Sequence, residues 1–470
     1  MGFWSKLEAS IARRNSLLCV GLDPHPGALP EGYATVGAFM RGIIEQTADL
    51  AAVFKPNIAF FEALGQPGWD ALRETLAAIP PDTPVILDAK RNDISSTAAA
   101  YARAVYDELG VDAVTINPYL GSDGVAPFLA YQDRGVFLLC KTSNPGAGEL
   151  QDWSQYGVPL YRRVAELAGE WAKGQEIGLV IGATYPEDMA EIRAAWPKTW
   201  FLVPGVGAQG GDLDAALRAG LRSDGLGLVV NSSRGILYAD DPRQAALETR
   251  DAINRARAAA LSGPSSAEQA RQARLSRLAL ALFESGCVQL GDFVLHSGAH
   301  SPIYVDLRRL VISPQLLELA AAEYARLLKG LDYQRIAAIP YAGLPIGTAV
   351  ALQTRDPLIY PRREVKSYGT RRQIEGEYQA GERVVLVDDL ISSGGSKLEA
   401  AAPLQEAGLV VEDVVVLIDR EQGGAEDLAR HGLRLHAAVT LREIVALLVA
   451  ANKLDRETQT RVERYLAGEA

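Results

Sequence analysis

The chain has 470 residues, of which 48% are hydrophobic and 22% charged, and its formal net charge is −11. These values predict a folded protein of two or more domains; they exclude a disordered chain, and the acidic excess argues against a nucleic-acid partner. Apolar runs fall short of the roughly 18 residues of a membrane span, and the first residues lack a signal-peptide pattern. Three cysteines cannot build a disulfide framework. We therefore expect a cytoplasmic protein without a membrane partner.

The first half of the chain alternates short apolar runs with helix-like stretches. This alternation predicts βαβ units and a parallel sheet, and eight units in about 250 residues predict a closed (β/α)8 TIM barrel. In such a barrel, the residues that follow the strands form the active site. The runs predicted as strands are Leu17–Gly21, Val53–Phe60, Val85–Ala89, Ala113–Asn117, Val136–Cys140, Ile177–Ile181, Phe201–Val206 and Leu228–Val230.

Charged residues follow the third run, in the segment Asp-Ala-Lys-Arg-Asn-Asp-Ile at 88–94. Because side chains alternate along a strand, Asp88 and Lys90 are predicted on one face, directed into the barrel mouth. Lys55 ends the second run, and Asp93 lies beyond the third strand. Buried charges are costly unless they are paired, so the pattern predicts a network of lysines and aspartates in the active site. A purely structural ion-pair lattice is the alternative.

A glycine-rich segment at 204–212 follows the seventh run and contains a GxGxxG string. That string alone is weak evidence for a dinucleotide site, which also requires an acidic residue about 20 residues later. Arg234 follows the eighth run instead. Since the loops after barrel strands seven and eight commonly bind phosphate, we predict a monophosphate site formed by backbone amides and Arg234. A tight turn alone is the alternative.

A break near Gly263 separates this half from the second one, because Gly263 and Pro264 interrupt two helix-like stretches rich in alanine and arginine. The second half is predicted to form an open, mostly parallel sheet that binds ligands beyond the carboxyl ends of its strands. Its predicted strands include Ile336–Ile339, Val384–Val387 and Val414–Ile418. The predicted domains are residues 1–262 and 275–470, with a linker at 263–274.

A second phosphate site is predicted where the strand at 384–387 ends. Asp388 and Asp389 follow this strand, and the small-residue loop Ser392–Ser396 then opens a helix. Loop amides and a helix N-terminus together form an anion site. A pair of carboxylates can bind ribose hydroxyls or a magnesium ion. A solvated turn is the alternative.

Over residues 1–260 the sequence resembles the orotidine 5′-phosphate decarboxylases, although Asn92 stands where glycine is usual. The motifs that carry the resemblance lie at 21–24, 54–57, 60–62, 88–94 and 204–211. The resemblance implies a dimeric TIM barrel that removes carbon dioxide from orotidine 5′-monophosphate without metal or cofactor. It implies that Lys90 protonates C6 of the pyrimidine, and that Lys55, Asp88 and an Asp93 from the other subunit complete the charge network. The implied substrate-binding residues are Asp23, Thr97, Ser143, Gln209, Gly210 and Arg234.

The second half resembles the orotate phosphoribosyltransferases, which have a type I phosphoribosyltransferase fold. Its motifs lie at 293–298, 301–304, 340–343, 362–369, 384–396 and 419–424. The resemblance implies transfer from the magnesium complex of 5-phosphoribosyl 1-diphosphate (PRPP), with the metal carried by PRPP near Asp388 and Asp389. The implied PRPP-binding residues are Arg362, Arg363, Lys366 (also catalytic), Tyr368, Asp388, Asp389, Ser392, Ser393, Gly394, Gly395 and Ser396, and the implied orotate-binding residues are Tyr304, Ser392 and Arg420. His296 and Ala342 depart from the lysines that are usual in many members.

Together the two resemblances predict a bifunctional enzyme of the UMP synthase type that acts on orotate, PRPP and orotidine 5′-monophosphate. The order of the domains is the reverse of that in the animal fusion, and we expect a homodimer or a higher homo-oligomer. Two alternatives remain. In one, the barrel is a metal-dependent sugar-phosphate decarboxylase or aldolase; in the other, the second half is a non-catalytic module that senses PRPP.

Overall fold

The structure is a computed structural model that describes residues 2–25, 27–155, 157–206, 211–294, 300–362 and 373–467. The chain divides into two compact units. The first contains residues 1–154 and 158–271, and the second contains residues 155–157 and 272–470. Across the described ranges, we find no helix with the combined length and apolar character that crossing a bilayer requires.

The first unit is a closed barrel of eight parallel strands, as predicted. The strands of this unit, with two short ones outside the barrel (β6 and β7), are β1 (Leu18–Leu22), β2 (Val53–Pro56), β3 (Ile86–Arg91), β4 (Ala113–Ile116), β5 (Gly135–Lys141), β6 (Ser154–Gln155), β7 (Val158–Pro159), β8 (Gly178–Ile181), β9 (Phe201–Val203) and β10 (Leu228–Ser232). The barrel sheet runs β2-β1-β10-β9-β8-β5-β4-β3. Parallel bridges from Phe54 to Val85 and from Asn57 to Asp88 join the two end strands and close it.

Helices surround this barrel, because each strand is buried on both faces and needs an apolar cover. They are α1 (Phe3–Arg14), α2 (Val36–Thr47), α3 (Ile58–Glu62), α4 (Gln66–Ala78), α5 (Ser95–Arg103), a π-helical turn (Ala104–Glu108), α6 (Ser122–Leu129), α7 (Ala147–Gln151), α8 (Leu160–Ala172), α9 (Pro186–Ala195), α10 (Leu213–Gly220), α11 (Arg234–Leu237) and α12 (Pro242–Leu261). All residues of β1, β2 and β4 are buried, so the barrel is a rigid frame for the residues at its strand ends.

The second predicted strand is too long. The apolar run at 53–60 forms a strand only as far as Pro56, and α3 begins at Ile58. Asn57 stands between them with its side chain accepting a hydrogen bond from the Ala59 amide, which caps the helix. Apolar residues alone do not distinguish a buried strand from a short buried helix.

The second unit contains an open six-stranded sheet that is parallel except at one edge, again as predicted. Its strands, including a separate antiparallel pair (β11 and β12), are β11 (Val288–Val294), β12 (His300–Val305), β13 (Arg335–Ala338), β14 (Leu358–Pro361), β15 (Ile374–Glu375), β16 (Arg383–Ile391), β17 (Val410–Asp419) and β18 (Arg434–Thr440). The order is β15-β14-β13-β16-β17-β18, and the β14–β15 pair is antiparallel. β16 is therefore a central strand, and its carboxyl end lies where an open sheet binds ligands.

The helices of the second unit begin with a long one that includes most of the predicted linker. They are α13 (Ser266–Glu284), a 3-10 helix (Leu307–Ile312), α14 (Pro314–Leu328), α15 (Gly343–Thr354), α16 (Gly395–Glu406), α17 (Gly424–Arg430), α18 (Leu441–Ala450) and α19 (Arg456–Leu466). The contacts divide the chain within α13, between Arg271 and Gln272. The domain limits drawn from the sequence stay a prediction.

Candidate active sites

The first candidate site is a cluster of charges at the carboxyl ends of β1, β2 and β3. Lys55 is buried at the end of β2, and its Nζ lies 3.1 Å from Asp88 Oδ2 and 4.0 Å from Asp23 Oδ1. Lys90 Nζ lies 2.6 Å from Asp88 Oδ1, and half of the Lys90 side chain is exposed. Asp88 therefore receives one ammonium group on each oxygen. The structure brings together Asp23, Lys55, Asp88 and Lys90, four of the residues predicted for the decarboxylase site.

The strand that carries Asp88 and Lys90 is not regular, so the predicted strict alternation of side chains is wrong here. The register with β4 is Leu87 opposite Val114 and then Arg91 opposite Ile116, with an irregularity between. Lys90 has a φ of 47°. This left-handed conformation costs an L-residue about 1–2 kcal/mol, so surrounding contacts must hold it. The bulge, rather than alternation, places both side chains together.

Electrostatics inside the cluster favour the charged forms. Burial alone would raise the pKa of Asp88, but Lys55 and Lys90 outweigh it and hold that pKa below its usual range. Burial alone would lower the pKa of Lys55, but Asp88 and Asp23 outweigh it and raise that pKa. Burial raises the pKa of the neighbouring Cys19 thiol to about 12, so Cys19 is a neutral core residue. The mouth therefore holds preorganised ammonium groups.

Asp93 and Thr97 lie outside this cluster. Asp93 is partly buried after β3, and its Oδ1 accepts a hydrogen bond from the Ile94 amide at 2.8 Å. Thr97 is exposed on α5. Ser143 follows β5 at the barrel mouth and packs on Gly182 at the end of β8, where an added Cβ would lie 2.8 Å from the Ser143 Cβ.

Two polar atoms near the end of β10 are buried without a hydrogen-bond partner among the described residues. They are Oδ1 of Asp23 and Oγ of Ser233. Gly21 brings the two residues together, since a Cβ there would lie 2.8 Å from Ser233 Cβ and 3.3 Å from Asp23 Oδ2. Arg234 follows Ser233 as an exposed residue that begins α11. Because buried polar groups are normally paired, these atoms mark a place for a polar ligand.

The second candidate site begins at the acidic pair of β16. Asp388 Oδ2 lies 2.8 Å from Nζ of Lys397, a buried residue of α16. Lys397 also donates to the Leu390 carbonyl at 2.6 Å. Burial, reinforced by the Asp388 charge, raises the pKa of Asp389 to about 6. The buried Tyr324 hydroxyl donates to the Asp388 carbonyl at 2.7 Å, which fixes the backbone of the pair.

The loop after this pair approaches neighbouring segments closely. The Gly394 amide donates to Asp427 Oδ2 at 3.2 Å, and a Cβ at Gly394 would lie only 2.6 Å from that oxygen. A larger residue there would force the Asp427 side chain to move. Gly395 begins the 12-residue helix α16, and Ser393, Gly395 and Ser396 are exposed at its start. The start of this helix is therefore exposed, and its role as an anion site stays a prediction.

The predicted orotate residues are partly assembled. The Arg420 guanidinium donates to Ser392 Oγ at 3.3 Å, and its Nε is buried without a partner among the described residues. Tyr304 is partly buried on β12 and packs on Phe293, with ring centres 5.4 Å apart. Arg362 forms an ion pair with Glu375. Other predicted residues lie outside the described ranges, namely Gln209, Gly210, His296, Arg363, Lys366 and Tyr368.

The sequence analysis did not single out several residues that complete these sites. Thr115 contacts Asp88 from β4, and Lys397 neutralises Asp388 from α16. Lys141, at the end of β5, is fully buried and forms an ion pair with Asp152. Only Lys141 and Lys397 could have been noticed beforehand, as lysines within apolar or small-residue segments. Within the described ranges, we find no group of three or more His, Cys, Asp or Glu side chains arranged to hold a metal ion.

Comparison with known proteins matches both halves. Residues 16–249 match the orotidine 5′-phosphate decarboxylase / HUMPS family. The chain is 40% identical to the bifunctional enzyme PyrF/PyrE of Nostoc sp. over 470 residues, covering 97% of this chain and 98% of the relative. It is 51% identical to the orotidine 5′-phosphate decarboxylase of Roseiflexus castenholzii over 269 residues, covering 54% of this chain and 98% of the relative. The solved structure of Leishmania donovani UMP synthase is similar over 100% of both chains, with 45% identity and a TM-score of 0.53.

Proposed function

The chain belongs to the family of bifunctional PyrF/PyrE enzymes, and from this premise we propose that it converts orotate and PRPP into UMP in two steps. In the first step, the second unit joins a ring nitrogen of orotate to C1 of the ribose and displaces pyrophosphate. In the second step, the barrel releases carbon dioxide from the resulting orotidine 5′-monophosphate. The product of one unit is the substrate of the other, so the two steps belong together chemically.

The observation that carries the barrel assignment is the arrangement of Lys55, Asp88 and Lys90. When carbon dioxide leaves, an electron pair remains at C6 of the pyrimidine. An ammonium group that is already in position stabilises this charge as it develops, at no cost in reorganisation. Lys90 lies 2.6 Å from Asp88 and is half exposed, so its ammonium group is both held and accessible. We assign it the proton that C6 receives, while Lys55 holds Asp88.

In our proposal the substrate is anchored beside this cluster, at the ends of β1 and β10. Asp23 Oδ1 is free to accept a hydrogen bond from a ribose hydroxyl, and Ser233 Oγ and Arg234 are available to a phosphate. We assign Ser143 and Thr97 to the base or ribose, and Gln209 and Gly210 to the phosphate. Binding energy from a phosphate distant from C6 can be used to position the ring against Lys90.

Asp93 reaches the site in our proposal from a second copy of the chain. The Asp93 carbonyl lies close to α6, since a Cβ at Gly124 would be 2.9 Å from it and 3.6 Å from Leu120 Cβ. Ile94 and Leu120 are exposed apolar side chains around this point, and Tyr119 is 74% exposed. An apolar patch around a functional carboxylate favours self-association. We therefore propose a homodimer, which forms in the cytoplasm, where the buried thiols stay reduced.

The transferase reaction uses the end of β16. In our proposal Asp388 and Asp389 bind the ribose hydroxyls of PRPP, and the loop Ser392–Ser396 binds its 5′-phosphate. Arg420, Ser392 and Tyr304 hold orotate. Asp388 and Asp389 would lie beside the magnesium ion carried by PRPP, since carboxylates are ligands that this ion prefers, and the ion would supply positive charge to the leaving diphosphate. The raised pKa of Asp389 would fall beside such a cation. The diphosphate leaves toward the predicted group Arg362, Arg363, Lys366 and Tyr368.

A coupled assay tests the proposal. Orotate, PRPP and magnesium should yield UMP, and Lys90→Ala should accumulate orotidine 5′-monophosphate because only the second step is lost. A chelator should stop the first step but leave decarboxylation of added orotidine 5′-monophosphate unchanged. Loss of barrel activity in chelator would instead favour the metal-dependent sugar-phosphate enzyme. Failure to consume orotate and PRPP would favour the sensing module.

A further inference from the structure

A single residue of β4 faces the bulge that carries Asp88 and Lys90. Between the pairs Leu87–Val114 and Arg91–Ile116, three residues of β3 stand opposite Thr115 alone. Backbone groups inside such a bulge lose their regular ladder partners. Amides inside a bulge still need hydrogen-bond partners, and a side chain can supply them in place of the missing strand contacts.

The Thr115 hydroxyl replaces them. Its Oγ1 accepts hydrogen bonds from the Ala89 and Lys90 amides, both at 3.0 Å, and donates to Asp88 Oδ1 at 2.9 Å. A hydroxyl has one donor and two acceptor positions, and all three are used. Thr115 is 1% exposed, so its own side chain is shielded from solvent. The same Asp88 oxygen binds Lys90 Nζ at 2.6 Å.

We infer that Thr115 is a positioning residue for the decarboxylation: its hydroxyl holds the Lys90 backbone and the Asp88 carboxylate in one arrangement, and thereby directs the Lys90 ammonium group at C6. This inference rests on the proposed function. Lys90 has the left-handed φ of 47°, a conformation whose cost for an L-residue neighbouring contacts can offset. Among the contacts of the described residues, Thr115 is what joins this backbone to the acid that orients the ammonium group.

The inference separates two kinds of substrate contact. Ribose and phosphate are bound in our proposal by Asp23 and the β10 end, which Thr115 does not touch. Loss of the Thr115 hydroxyl should therefore leave binding of orotidine 5′-monophosphate nearly intact and slow the chemical step. An interaction made mainly in the transition state affects kcat and kcat/KM together, whereas uniform binding affects KM.

The experiment compares variants of the full chain with orotidine 5′-monophosphate as substrate. Thr115→Val keeps the shape and removes the hydroxyl; we expect kcat to fall about 10- to 100-fold, as for loss of a hydrogen bond to a charged group, while KM changes by less than about threefold. Thr115→Ser keeps the hydroxyl and should stay within about threefold of the wild type in kcat. Thr47→Val is the matched control, since Thr47 is equally buried and donates only within α2.

The tryptophan fluorescence of each variant reports whether the barrel is folded, since all six tryptophans lie between residues 4 and 200, and the transferase activity with orotate and PRPP gives the amount of active chain. A wild type without decarboxylase activity would refute the proposed function itself. An active wild type with an equally active Thr115→Val would overturn only the role of Thr115. Should Thr115→Val fail to fold, Thr115→Ala decides: the inference requires the serine variant to exceed it at least about tenfold in kcat. Equal kcat values for Thr115→Ser and Thr115→Ala would mean that the methyl group of Thr115, and not its hydroxyl, is what matters.

Discussion

Replacing Lys55 by methionine should destabilise the barrel unit strongly, because it removes one of the two ammonium partners of Asp88 and the ion-pair partner of Asp23, two largely buried carboxylates. Methionine has a similar length but no charge. At an effective dielectric constant of about 20, the contact at 3.1 Å with Asp88 is worth about 5 kcal/mol and the one at 4.0 Å with Asp23 about 4 kcal/mol. Burying the ammonium group costs several kcal/mol, which its removal returns. The expected net loss is about 3–5 kcal/mol in the free energy of unfolding, as for other broken buried pairs.

Tryptophan fluorescence during urea unfolding measures this loss in the barrel alone, since all six tryptophans lie between residues 4 and 200. Arg243→Gln is the control, because Arg243 and Asp49 form an exposed pair, and exposed ion pairs contribute little to stability. Adding Asp88→Asn to Lys55→Met should restore at least about 1 kcal/mol of the lost free energy of unfolding, since the negative charge of Asp88 is then removed as well. If the free energy of unfolding of Lys55→Met lay within about 1 kcal/mol of the wild-type value, the assignment of Lys55 as the compensating charge would be wrong.

Three further changes test other parts of the structure. Burial raises the pKa of Glu176 to about 7, so the barrel should lose stability as pH rises from about 4.5 to 7. The free energy of unfolding of Glu176→Gln, measured by tryptophan fluorescence, should exceed that of the wild type by about 1–2 kcal/mol at pH 8 and equal it at pH 4. Lys397→Met should lower transferase activity at least about tenfold, because Asp388 loses its buried partner. Transferase activity equal to that of the wild type would contradict this, and the decarboxylase activity of the same chain is the internal control. Asp152→Asn should raise KM for orotidine 5′-monophosphate about threefold. The reason is that Lys141, next to the Ser143 loop, loses one carboxylate partner but keeps Asp188 at 3.9 Å. An unchanged KM would count against a role of Asp152 in holding Lys141.

Most of the architecture could be predicted because it depends on local periodicity. Strands that are buried on both faces appear as short apolar runs, and each of the eight runs of the first half overlaps with a strand of the barrel. The run at 53–60 shows the limit, since Asn57 turns the chain into α3 through a contact of its side chain. Composition does not distinguish these two outcomes for so short a segment.

The sites were predictable in composition but not in geometry. Asp88, Lys90, Asp388 and Asp389 stand out because charges directly follow apolar strands. Their partners come from other elements: Thr115 lies on the neighbouring strand, and Lys397 lies on the helix that follows the acidic pair. Threonine in a buried strand is ordinary, since β-branched residues suit a sheet, so nothing in the sequence marks the Thr115 hydroxyl as a ligand of the bulge.

The bulge itself shows why the sequence argument reached the correct cluster through the wrong geometry. Strict alternation would place Asp88 and Lys90 on one face but would leave the lysine amide in the regular ladder of β3 and β4. The observed register withdraws three residues from that ladder, and the Lys90 backbone turns into the left-handed region. Both geometries put a lysine beside an aspartate, so the charge pattern cannot distinguish them. Only the bulge explains why a buried hydroxyl is needed at residue 115, because a regular strand would pair its amides with carbonyl groups.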